Sequence, residues 1–167
     1  MAEASRRAAR PAARGGLPNA LFVVAAAERP APELIGAADE VTINFPWGSL
    51  LRGVLALDET VASGIVSLLR PGASLTAFVS ITARDGLAVP TLDDAGEADA
   101  LAARWASNGL GLEEVCPAVA VEIAASGSSW AKRLGAGTAG RPAWKIRLWR
   151  DGVVTHMPAD DVLWRHG

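Results

Sequence analysis

Three apolar runs, at residues 20–26 (ALFVVAA), 40–45 (EVTINF) and 73–82 (ASLTAFVSIT), alternate with segments whose apolar residues recur at helical spacing. Such runs suit strands buried on both faces, which occur in sheets covered by helices on each side. The expected fold is therefore α/β with a largely parallel sheet. Further strands are expected at 112–120 and 144–149. Helices are expected at 2–13 (stopped by Pro11), 49–57, 59–69, 93–108 and 128–134, with a short helix or turn at 32–38. At this length residues 1–150 form one unit, followed by a C-terminal tail at 151–167 with no clear pattern.

In sheets of this kind ligands bind beyond the carboxyl ends of the strands. Two such ends stand out, Ala25-Ala26-Ala27-Glu28 and Asn44-Phe45-Pro46-Trp47-Gly48. No glycine-rich phosphate turn follows the first strand: Gly15-Gly16 precedes it, and the glycines from Gly135 to Gly140 follow a helix. The alanines before Glu28 let a ligand approach the backbone, and an acceptor there suits the exocyclic amine of an adenine ring. A plain loop carboxylate is the alternative. The Phe45-Pro46 step is expected to be extended, so that Trp47 projects from the sheet. Trp130 lies in SSWAKRL, followed by Lys132, Arg133 and, further on, Arg141. Two aromatic faces flanked by cations suit a base extruded from a nucleic acid, with its phosphates held nearby. Core packing is the alternative for each tryptophan.

Charge is segregated along the chain. Residues 1–19 carry Arg6, Arg7, Arg10 and Arg14 against Glu3, residues 20–128 carry five arginines against fourteen carboxylates, and residues 129–167 carry seven basic groups against three acidic ones. If both ends share a face, that face is electropositive and fits nucleic acid. Solvated tails are the alternative. No apolar run approaches the roughly 20 residues of a membrane span, so no membrane partner and a cytoplasmic location are expected. Cys116 has no partner for an internal disulfide, and with only His156 and His166 no zinc-ligand spacing occurs, so no metal is expected.

The stretch GGLPNALFVVAAAERPAPELIGAADEVTINFPWGSLLRGVL (15–55), together with SSWAKRLGAG (128–137), resembles the aminoglycoside-resistance methyltransferases that modify N1 of a decoding-site adenine in 16S ribosomal RNA. The resemblance implies a Rossmann-like class I methyltransferase fold using S-adenosylmethionine, and 16S rRNA within the small ribosomal subunit as partner. By position, Ala26, Ala27 and Glu28 would border the cofactor's adenine, with Ser49 and Ser128 near its sulfonium and amino-acid end. Trp47 and Trp130 would be the catalytic pair that sandwiches the flipped target adenine. Arg6, Arg7, Arg10 and Arg14 would grip RNA, and Lys132, Arg133 and Arg141 would hold phosphates beside the target. The chemistry implied needs no strong general base, because adenine N1 attacks through its own lone pair and the protein aligns the partners.

Members of that family begin with a strand, a glycine-rich turn and a second strand ending in an acidic residue. The expectation is thus a fold lacking its first two strands, with apolar faces and polar edges uncovered. Weak or absent cofactor binding by the 167 residues alone follows, which leaves enzyme status open, as does a dimer formed through the exposed sheet edge. The rival readings are a small-molecule or protein methyltransferase on the same scaffold, and a non-catalytic remnant that binds RNA or a partner chain.

Overall fold

The computed structural model describes residues 2–17, 19–93 and 95–152. Its helices are α1 (Ala2–Ala8), α2 (Gly48–Val54), α3 (Glu59–Leu68), α4 (Ala95–Ser107), α5 (Ala120–Ala125) and α6 (Ser129–Leu134). Its strands are β1 (Ala38–Asn44), β2 (Leu69–Val79), β3 (Leu110–Pro117) and β4 (Trp144–Arg150). They form one sheet in the order β1-β2-β4-β3. Only β1 and β2 run parallel; β4 is antiparallel to both of its neighbours. The expectation of a largely parallel sheet is corrected at that point. The segment between β3 and β4 carries two very short helices and no full crossover, so the chain re-enters the sheet beside β3 in the opposite direction.

The apolar runs also resolve differently from expectation. Along β2, Leu75, Ala77 and Val79 are buried while Ser74 and Thr76 face the other way, and along β4 Ile146 and Leu148 are buried between Lys145, Arg147 and Trp149. Period-two alternation of this kind belongs to a sheet with one wet face. Helices α2, α3 and α4 cover the dry face, where Leu51, Val54, Val61, Ile65, Leu101 and Trp105 join the strand residues in one cluster. The opposite face gathers Glu40, Thr42, Ser74, Thr76, Lys145 and Arg147. The face expected to be bare and apolar is polar over these residues, and at the end of β2 it carries Phe78, covered in a second buried cluster with Phe45, Ala131 and Ala143.

Residues 20–26 form no strand, contrary to expectation. Leu21 is 82% exposed and Val24 77%. A strand exists only where a neighbour completes its backbone hydrogen bonds, and among the described residues this run has only the bridge between Ala26 and Arg29. The outer edges of β1 and β3 carry no ladder partner among the described residues either. Of the tail, only Asp151 and Gly152 are described, and the expectation for 151–167 otherwise lies outside the described residues. No helix among the described residues is long and apolar enough to cross a membrane.

The helical layer is tied together at helix ends, where the last carbonyls lack intrahelical partners. Trp105, fully buried in α4, donates its indole N–H to the Val54 carbonyl at 3.0 Å. Arg104 donates Nε to the Leu55 carbonyl at 2.9 Å and pairs with Glu97. Arg150 does the same at the end of α3, reaching the Val66 and Leu69 carbonyls. At the other end of α3, Asp58 accepts the Val61 N–H at 3.2 Å as its N-cap.

Replacing Trp105 by alanine should cost about 3–5 kcal/mol of stability, a large share of the total for a domain of this size. Trp105→Phe, which keeps a ring but strands the Val54 carbonyl, should cost about 1–3 kcal/mol. Urea denaturation measures both.

Candidate active site

A cleft of about 480 Å³ runs from the first turn of α2, just past the carboxyl end of β1, to the last turn of α3, which leads into β2 beside the start of β1, and is lined by Ala25, Ala26, Ala27, Glu28, Pro30, Leu34, Ser49, Leu50 and Leu68. Its volume is in the range of small-molecule sites. One wall is a tight turn in which Arg29 N–H returns to the Ala26 carbonyl at 3.1 Å, placing Ala27 and Glu28 half-buried at the tip. Another is the first turn of α2, which contributes Ser49 and Leu50, and the floor is the last turn of α3 with Leu68. The Gly36 N–H bonds the Ser67 carbonyl at 2.8 Å and holds the segment after Leu34 against that floor. Glu28 is the one charged side chain in the lining, amid alanine methyls and leucines. The lining suits a flat, mostly apolar ring that presents a donor to a carboxylate. Four of the expected cofactor residues, Ala26, Ala27, Glu28 and Ser49, thus meet here.

Ser128 does not join them. Its hydroxyl accepts the Ala131 N–H at 3.2 Å as the N-cap of α6.

The end of β1 corrects the expected geometry. Phe45 is not extended but left-handed, at φ +51°, a conformation that costs a non-glycine residue of order 1–3 kcal/mol. It is held there by its N–H on the Phe78 carbonyl at 2.7 Å and by stacking on the Phe78 ring, centroids 6.2 Å apart at 22°. The chain leaves the sheet at this kink, and Trp47, just ahead of α2, stands 41% exposed. Trp130 on α6 is exposed to the same degree. The buried residues Phe45, Phe78, Ala131 and Ala143 form one cluster. Trp47 lies two residues beyond Phe45 and Trp130 one residue before Ala131, so both indoles emerge from elements packed on a common nucleus. Neither is a core tryptophan; Trp105 fills that role.

The cations divide into two sets. Arg6, Arg7 and Arg10 line a concavity along α1 with Glu3, which pairs with Arg7 at 2.7 Å, and Arg14 is exposed in the 3-10 turn at Ala12–Arg14. Near the other end the expected electropositive excess is largely paired with carboxylates on the polar face. Lys145 sits between Glu122 at 2.9 Å and Glu114 at 3.1 Å, and Arg147 pairs with Glu113 at 3.2 Å. The hydrogen bonds that it donates to Glu122 and then to Glu114 hold the Lys145 ammonium well above the usual lysine range. Burial, followed by the bond to the Glu114 carboxylate, pushes the Cys116 thiol up, which keeps it protonated and unreactive. Lys132 and Arg133 remain exposed on α6 beside Trp130.

Arg141 is placed differently from those two. Its guanidinium grips Asp85 in a fork, at 3.0 and 2.9 Å, and also reaches the Ser80 carbonyl at 3.3 Å. The pair is largely buried, at 15% and 9% exposure, and it fastens the segment before β4 to the loop after β2. Burial pushes the Asp85 carboxyl upward, but the bonds from Arg141 and the Thr82 N–H outweigh it and leave it below the usual range. Asp85 was legible as the last residue of Thr82-Ala-Arg-Asp85, a helix-start spacing. Leu34 and Leu68, which complete the cleft, carry no local signal.

Comparison with known proteins identifies the relatives of the chain. A family model described as "NpmA: 16S rRNA (adenine(1408)-N(1))-methyltransferase" matches residues 1–146. The chain is 35% identical over 143 residues to the 16S rRNA (adenine(1408)-N(1))-methyltransferase of Streptoalloteichus hindustanus, covering 80% of this chain and 64% of that protein. It is 37% identical over 141 residues to an rRNA methyltransferase of Saccharopolyspora hirsuta, covering 81% and 89% respectively. The structure matches that of a 16S rRNA (adenine(1408)-N(1))-methyltransferase from Catenulisporales acidiphilia, solved with its cosubstrate SAM, at a TM-score of 0.75 and 31% identity over 97% of this chain and 73% of that one. The chain therefore spans just under two thirds of the length of the Streptoalloteichus relative.

The lowered carboxyl of Asp85 makes a pH prediction. A folded-state value below the unfolded one stabilises at neutral pH and loses that contribution as pH falls through the folded value. Asp85→Asn should therefore cost about 3–5 kcal/mol at pH 7 by leaving Arg141 without its counter-charge. The gap to wild type should close only below about pH 4, in denaturation series run at several pH values.

Proposed function

The chain belongs to the 16S rRNA (adenine(1408)-N(1))-methyltransferase family and has its class I methyltransferase fold, and from that premise we propose that it methylates N1 of a decoding-site adenine in the small ribosomal subunit. One observation carries this reading. The three residues Trp47-Gly48-Ser49 join an exposed indole to a side chain in the cleft, so a base stacked on Trp47 is brought beside whatever the cleft holds. Ala26, Ala27 and Glu28 would hold the adenine of S-adenosylmethionine, and Ser49 would lie toward its reacting end. The cofactor supplies an electrophilic methyl group on sulfur. Trp47 and Trp130 fix the target base by stacking, and the base contributes its own nucleophilic lone pair, so no side chain need remove a proton. Lys132 and Arg133 neutralise phosphates beside Trp130, and Arg6, Arg7, Arg10 and Arg14 give a second RNA contact. Arg141 enters through Asp85, as a link between the segment before β4 and the loop after β2. Ser128 contributes as the cap that starts the helix bearing Trp130.

The setting implied is the cytoplasm, where small subunits are found. Association of two copies through the outer edge of β1 accords with the absence of a ladder partner there among the described residues. A remnant that binds RNA without cofactor is the second reading, favoured by the exposure of Leu21 and Val24.

Transfer of labelled methyl groups to intact small subunits, naked 16S rRNA and small amines separates the readings. Intact subunits should be the preferred acceptor. Trp47→Ala and Trp130→Ala should each lower turnover by roughly 5- to 150-fold, the equivalent of about 1–3 kcal/mol of stacking, while cofactor affinity stays within about twofold. Equal losses of turnover and cofactor affinity would reject the assigned roles. Salt-sensitive RNA binding with no measurable cofactor binding would establish the remnant.

A further inference from the structure

Helix α3 carries a glycine at its centre. Gly64 has ordinary helical neighbours and is buried, yet glycine inside a helix is about 1 kcal/mol worse than alanine. The reason lies across from it. A β-carbon built on Gly64 would fall on the Ala27 carbonyl oxygen, 2.8 Å from the Ala27 carbonyl carbon and 3.3 Å from Glu28 Cα. These are backbone atoms of the turn that forms the cleft wall, so no side chain can rotate away to make room. Beyond this contact the turn is fixed by the Ala27 methyl, which packs on the core cluster. The residues leading into it, from Leu21 to Val24, are exposed, and its Arg29-to-Ala26 hydrogen bond is internal. One helical turn beyond Gly64, on the same face of α3, Leu68 forms the cleft floor.

We propose that Gly64 is a positioning residue for the cleft: its missing side chain lets the Ala26–Glu28 turn seat directly on α3, and that backbone contact sets the spacing between the turn and Leu68 into which an adenine ring fits. This rests on reading the cleft as the adenosine site. It adds a determinant on a helix that touches no ligand at that position. Gly53 provides the internal comparison. It too is a packed helical glycine, in α2, but a β-carbon there would press on the Val61 side chain, 2.6 Å from its Cβ, and not on the backbone of the turn.

The test compares wild type, Gly64→Ala and Gly53→Ala in the whole chain. Affinity is read by equilibrium dialysis with labelled S-adenosylhomocysteine, local order by amide hydrogen exchange over residues 25–30, and global stability by urea denaturation. Gly64→Ala should weaken the probe at least tenfold and speed exchange in 25–30. Gly53→Ala should lower the urea midpoint and can shift Ser49 and Leu50, but should leave exchange in 25–30 unchanged. A folded Gly64→Ala that binds like wild type, or that speeds exchange in 25–30 no more than Gly53→Ala does, overturns the proposal. If Gly64→Ala does not fold, the wild type decides: the probe should slow exchange at both 26–29 and 64–68, and slowing at the turn alone overturns it. If the wild type binds no probe, the methyltransferase reading falls by itself. The positioning claim then stands only if exchange in 25–30 is faster in Gly64→Ala than in wild type and Gly53→Ala.

Discussion

The indole N–H of Trp105 on the Val54 carbonyl is the bond on which the geometry of the site depends. Helix α2 is only seven residues long and could not persist alone. Its carboxyl end is fixed in the core by Trp105 and Arg104, both on α4, and by its own buried Leu51 and Val54. The opposite end is thereby aimed at the cleft and at solvent, with Ser49 in the one and Trp47 in the other. A short helix anchored at its far end is a rigid bracket, and the kink at Phe45 sets where it begins. The strain at that kink is offset by the Phe78 stack, so the local cost and the site are parts of one arrangement.

Much of this was legible in the residues, and the illegible part has a common physical cause. The stretch from Glu40 to Leu55 declared a strand, a break and a helix through its own composition, and the structure has β1, a kink and α2 there. The helices that start near 59 and 128 were legible in the same local way. What failed depended on neighbours. Residues 20–26 have the composition of a buried strand, but composition supplies no ladder partner, and in the described structure the segment lies exposed. The direction of β4 likewise follows from how the chain returns through α5 and α6, which no run of apolar residues encodes.

The basic residues teach a related point. The count of charges over residues 129–167 suggests a positive face if both ends of the chain meet, yet Arg141, Lys145, Arg147 and Arg150 each have an acidic or carbonyl partner within the fold. Arginine is well suited to this because its planar fork can satisfy two acceptors at once, as it does on Asp85. Sequence counts cannot separate an arginine that holds two loops together from one that waits for phosphate. The exposed pair on α6, next to an exposed indole, is distinguished only by its surroundings.

The polar face of the sheet has a consequence for how the surface can change. Glu40, Thr42, Ser74 and Thr76 point away from the helices that build the cleft, and the alternation of the strands separates the two sides by the thickness of one backbone. Hydrophilic exchanges on that side are therefore mechanically insulated from Ser49, Leu50 and Leu68. That latitude ends at Phe78, on the same side, because its ring and carbonyl hold the Phe45 kink from which α2 starts.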